Sequence, residues 1–176
     1  NLSVEVCPAV AHTRIGWYRS VNAIHHGLAI GSFVDELAHA AGKDPKAFLL
    51  ELLGPDRIVD MAKVGLTDQP WNYGDSFESH PIDTARLRGV VELATTQAGW
   101  GQPLPAGRGR GLAVHRSFLS YIAMVIEVAS NSDGSIAIDL PFQCGNGLPR
   151  LSVVDARRTA ALKVVRPWRR AAGRIN

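Results

Sequence analysis

The chain has 176 residues, 46% apolar and 20% charged, a composition that suits one ordinary globular core. No run of 18 uncharged apolar residues occurs, which excludes a transmembrane helix, and Cys7 and Cys144 alone exclude a disulfide framework and lack metal-ligand spacing. The net charge of +3 hides a division: residues 1–138 hold 11 Lys and Arg against 14 Asp and Glu, whereas residues 139–176 hold 8 against 2.

Leu2-Ser3-Val4-Glu5-Val6 reads as a strand, so the chain starts as if within a longer one. The loop Gly16 to Asn22 follows, with two aromatics and Arg19 ahead of a long amphipathic segment. Leu28, Ile30, Phe33, Leu37 and Ala41 fall near helical spacing, and Gly42 is placed to stop that helix. Asp44 then caps a second helix with Pro45 at its first position; Phe48, Leu49, Leu52 and Leu53 are its apolar face, and Gly54-Pro55 ends it. A short third helix is expected from Asp56 through Ile58, Met61 and Val64, closed by Gly65. Thr67 to His80 is rich in Asn, Gly, Asp, Pro and Ser, a long surface loop pinned by Trp71 and Tyr73.

Asp83-Thr84 opens a fourth helix with Leu87, Val90, Val91, Ala94 and Ala98 inward, ending at Gly99. Gly101 to Arg110 is a Gly/Pro/Arg connector. Gly111–Phe118, Tyr121–Ala129 and Ser135–Asp139 read as strands, the last two joined by a hairpin at Asn131-Ser132-Asp133-Gly134. This order gives an α+β class, helices packed on a small antiparallel sheet. Beyond Leu140 the character changes: Gln143 to Pro149 is turn-like, and Arg150 to Asn176 mixes small apolar residues with arginines at poor periodicity.

Little in this chain carries chemistry by pattern alone. His25 and His26 are adjacent on a helix and point about 100° apart, so they make no two-ligand metal face. His115 and Ser117 pair a base with a hydroxyl on one strand, but no G-x-S-x-G elbow supports a nucleophile. Gly107-Arg108-Gly109-Arg110-Gly111 has no aromatic platform and reads as a solvated connector. Trp168 among Arg166, Arg169 and Arg170 suggests an anionic partner, yet weak periodicity favours an end without a fixed fold, and nucleic acid is not the expected partner. The Gly16–Asn22 loop remains. It delivers Arg19 and backbone N–H groups to a helix start, where an anion can be held.

Several pieces in order carry a resemblance: Gly16-Trp17-Tyr18-Arg19-Ser20-Val21; Ser32 to Pro45; Gly99-Trp100-Gly101; Gly107 to His115; and Ser117 to Ala123. Together, from Pro8 to about Asp139, the chain resembles the molybdenum-cofactor-binding large subunit of the xanthine dehydrogenase/aldehyde oxidase superfamily. Within it, the likeness is to the isoquinoline 1-oxidoreductase type, in its beta subunit. The resemblance implies that Tyr18, Arg19, Ser20 and Val21 lie against a molybdenum-pterin cofactor, with Arg19 as the cation for its anionic groups. Val21 stands where xanthine-oxidising relatives place a phenylalanine on the substrate, and His25 where relatives often have glutamine, a place behind the contact layer. The implied activity is hydroxylation of an N-heterocycle or aldehyde with water as the oxygen source. An iron–sulfur small subunit with two [2Fe-2S] clusters would remove the electrons.

The family's general base and its glycine-rich cofactor loop have no counterpart in these residues, so no catalytic residue and no side-chain metal ligand is expected here. Residues 1–139 are expected to be a fragment of the molybdopterin-binding domain. Residues 140–176 are expected to be a basic tail outside the resemblance, through a frame shift or lack of fixed structure. The alternative is a non-catalytic α+β fragment whose basic tail binds anionic partners.

Overall fold

Glycine, proline and aspartate punctuation sets the helices. The computed structural model describes residues 7, 10, 12, 16, 20, 21, 23–63 and 72–138, with the backbone of 139–145. Helix α1 (Ala23–Ala40) ends in a left-handed Gly42 at φ 64, where Gly42 N–H donates to His39 O at 3.1 Å and Lys43 N–H to Ala38 O at 2.9 Å. That reciprocal pair is the glycine-ended cap expected from the sequence. Two residues on, the Asp44 carboxylate accepts from Ala47 N at 2.9 Å and starts α2 (Pro45–Leu53). The Asp83 carboxylate accepts from Ala85 N at 2.8 Å and starts α3 (Thr84–Gln97).

Strands β1 (Arg108–Ser117), β2 (Ser120–Ser130) and β3 (Ile136–Gly145) form one antiparallel sheet in the order β1-β2-β3. The fold is therefore α+β. Alternation along β2 sends Tyr121, Ala123 and Val125 to one face, where Val90, Val91 and Ala94 of α3, its C-cap Ala98 and Leu112 of β1 complete the main core. Leu49 and Leu50 of α2 pack against the same cluster. Met124, Ile126 and Val128 alternate to the other face and form a second cluster with Ile138. The β2–β3 hairpin forms where expected. Gly134 has φ 79, Asn131 N–H donates to Ser135 O at 2.9 Å, and Ser135 N–H donates to the Asp133 carboxylate at 2.8 Å.

Three local expectations are corrected. The short helix from Asp56 does not form in the described part of that segment. Arg57 N–H donates to Thr84 Oγ1 at 2.8 Å, Val59 N–H to Ile82 O at 2.8 Å and Thr84 N–H to Arg57 O at 2.9 Å, and Ile58 bridges Asp83 in β fashion. Long-range backbone pairing thus takes the groups a helix would have used. Next, β1 starts at Arg108, so Arg108 to Gly111 is strand, not solvated connector. Its Arg110 donates to Glu127 Oε2 at 2.9 Å and to Gly99 O at 2.7 Å. Finally, β3 runs on through Gly145, so Gln143-Cys144-Gly145 pairs with Ile122, Ala123 and Met124 instead of turning. The strand expected at residues 2–6, Trp71, and the end of the short helix at Val64-Gly65 lie outside the described residues.

Candidate functional site

Of the expected cofactor contacts, Ser20 and Val21 are described, whereas Tyr18 and Arg19 lie outside the described residues. Ser20 (φ 64) and Val21 (φ 46) are consecutive left-handed residues immediately before α1, and the Ser20 carbonyl accepts from Ala23 N at 2.8 Å. A left-handed β-branched residue crowds its Cβ against the following carbonyl, so Val21 stores strain that its surroundings must offset. Its side chain is 47% exposed and packs little in return. α1 has no acidic side chain in its first turn.

His25 is exposed, its ring edge-on to that of His26 with centroids 4.7 Å apart. Among the described residues no group of three or more His, Cys, Asp or Glu side chains could hold a metal ion. A small open cleft of about 80 Å³ lies between α1, α2 and β1, lined by Gly27, Gly31, Val34, Asp35, Leu49 and His115, among others. Gly27 of α1 lies near the His115 ring: a Cβ built there would stand 3.5 Å from Nδ1, an ordinary van der Waals contact. Burial, then the charge of His26, hold the His115 imidazole below its ordinary pKa of 6.5. His115 and Ser117 do not form a base–nucleophile pair. The Ser117 hydroxyl meets Tyr73 Oη at 3.5 Å instead.

A second strained group has no sequence signature. Tyr73 (φ 60), Phe118 (φ 48) and Leu119 (φ 64) are all left-handed, and the Tyr73 and Phe118 rings stack at 4.6 Å. Phe118 and Leu119 make the two-residue β1–β2 turn without the Asn-Gly pair such turns normally show, so composition does not mark them. Beneath the turn, Arg116 donates to Asn72 Oδ1 at 3.0 Å and lies over the Tyr121 ring, 5.7 Å from its centroid. The Tyr121 hydroxyl accepts from Asp83 N at 2.8 Å and donates to Pro81 O at 2.9 Å. This lattice fixes the 72–83 loop on the sheet.

Two of the resemblance-bearing pieces meet in space. Gly99 (φ 62) ends α3, with Trp100 N–H donating to Thr95 O at 2.9 Å, and the Trp100 indole donates from Nε1 to Asp44 Oδ2 at 2.9 Å. Asp44 therefore caps α2 with one oxygen and holds Trp100 with the other.

No family model matches the chain. It is similar to a nicotinate dehydrogenase subunit of Pseudomonas putida. The two are 38% identical over 147 residues. The match takes in 78% of this chain and 11% of that protein, so the chain spans about a ninth of the relative's length. The similarity is to a dehydrogenase subunit. The narrower isoquinoline 1-oxidoreductase assignment has no match of its own.

Proposed function

We propose that this chain is a segment of a molybdenum-hydroxylase-type oxidoreductase subunit, in which the loop before α1 forms one wall of a molybdenum-pterin site. The observation that carries the reading is the 38% identity over 147 residues to a dehydrogenase subunit. The strained Ser20-Val21 turn supports it, because strain in a segment that packs little is more common at functional sites than elsewhere. The residues at hand suit an anionic group: the loop supplies Arg19 in sequence, and no acidic side chain stands in the first turn of the helix that follows. Tyr18, Arg19, Ser20 and Val21 would hold the cofactor, with His25 behind them.

When bound, such a cofactor supplies two-electron oxidation of an electron-poor carbon, with oxygen from water. This chain's own part is to bind and orient. Arg19 offers a planar, permanently charged donor for the anionic groups of the cofactor. Val21 would set the width of the wall, narrower than a phenylalanine would make it. Partners in this reading are the rest of the longer subunit and an iron–sulfur subunit with two [2Fe-2S] clusters. Residues 1–139 would be the molybdopterin-domain segment, with β3 carrying its sheet on through Gly145 ahead of the basic tail.

Metal and pterin analysis tests the reading. Replacing the matching stretch of the Pseudomonas relative with residues 1–139 should preserve molybdenum content, and Arg19→Ala in that chimera should lower it several-fold. A chimera indifferent to Arg19→Ala would overturn it; the isolated 176-residue chain is expected to hold no molybdenum, because too little of the pocket is present. The second reading rests on the 8 basic against 2 acidic residues of 139–176. It requires steeply salt-dependent oligonucleotide binding that disappears when the tail is removed.

A further inference from the structure

The N-terminal half of α1 is weakly anchored. Ala38 is the only fully buried residue among the helix's 18, and it lies near the C-terminal end, where the Gly42 cap and the Asp44 corner tie the chain down. Ahead of it, Gly27, Ile30, Gly31 and Val34 of the helix line the open cleft that His115 also lines. Segments with few buried contacts open locally at a fraction of the global unfolding free energy.

His115 sits at this joint with unfavourable surroundings for a cation. From α1 it faces Gly27 and His26, with His25 edge-on to His26 and Asp35 further along the same cleft. α2 contributes only Pro45 and Leu49 to the cleft, and β2 places Ile122 opposite His115 in register. Arg116, next on β1, is engaged with Asn72 and the His80 carbonyl.

We propose that the contact between α1 and β1 is a pH-sensitive joint: protonation of the His115 imidazole, in the cleft that it lines with Gly27 and Gly31, releases the N-terminal half of α1 from the sheet. The joint needs no cofactor. A half-buried neutral imidazole holds the closed form, and opening returns the ring to water, where it accepts a proton more readily. The closed form is therefore favoured above pH 6.5 and progressively lost as pH falls from there through the depressed pKa of His115.

Hydrogen exchange on the intact chain, corrected for the intrinsic pH dependence of exchange, tests the joint. Between pH 7.5 and pH 5, amides 27–34 of α1 should lose protection several-fold, while amides 90–95 of α3 keep theirs. His115→Gln, neutral at every pH in this range, should abolish the α1 response. Equal loss in α1 and α3, or an unchanged α1 response in His115→Gln, would overturn the proposal. If that variant fails to fold, NMR titration of the His115 ring in the unaltered chain decides the matter. Titration below the ordinary range in step with α1 opening supports the joint, and titration without opening sinks it.

Discussion

Single residues here differ in what the sequence reveals of them. Asp44, Asp83, Gly42 and Gly99 do what their types and positions dictate, because capping is decided within four or five residues. Val21 and Phe118 do not. Nothing in a valine or phenylalanine predicts φ 46 or φ 48. Replacing Val21 with glycine removes the Cβ–carbonyl crowding and sacrifices little burial, since the side chain is half exposed. Val21→Gly is therefore expected to stabilise the chain by about 1 kcal/mol, measured by urea unfolding, against the usual direction of a Val→Gly change. A loss of stability would show that Val21 is not strained.

Among the elements, the helices were legible in sequence and their junctions were not. Helical spacing and caps located α1, α2 and α3, but only the folded chain brings the Trp100 indole to the free oxygen of the α2 cap. Asp44→Ala removes both the cap and this bond and should cost about 2 kcal/mol. Trp100→Phe should then cost about 1 kcal/mol less in the Asp44→Ala background than in the unaltered chain, a coupling that a double-mutant cycle reads directly. Additive costs would mean the indole–carboxylate bond contributes nothing. Arg88 works similarly between α2 and α3. It bonds the Gly54 carbonyl and, at 2.9 Å, Asp56 Oδ1. The expected helix after Asp56 failed for the same reason, since residues 57–59 pair with 82–84, across a sequence gap no local pattern spans.

At the scale of the whole molecule, charge is arranged across the sheet. Glu127 of β2 receives Arg110 at 2.9 Å and Arg108 at 3.1 Å. Hydrogen bonding and charge from Arg110, and then Arg108, hold its carboxyl below its ordinary value of 4.5. The folded state therefore gains stability above that value and loses it as pH falls through the depressed pKa. Glu127→Gln should lower the melting temperature at pH 7 while flattening its decline on acidification below pH 4.5. Parallel melting curves against pH for the two proteins would show that the arginine pair does not set the acid response.

By itself the sequence determined the α+β class, three helices with their caps, and the Asn131–Gly134 hairpin, because each rests on spacing or turn chemistry within a few residues. Only the tertiary structure decided that Arg108 to Gly111 is strand, that Tyr73 stacks on Phe118, and that Gly27 and Gly31 of α1 join Ile30 and Val34 over the cleft against β1. Ile24, Phe33 and Leu37 of α1 are left 39–50% exposed, whereas Gly27, Gly31 and Val34 of the same helix line the cleft against β1. Hydrophobicity names which residues seek burial; which ones obtain it depends on the partner surface that the rest of the chain supplies.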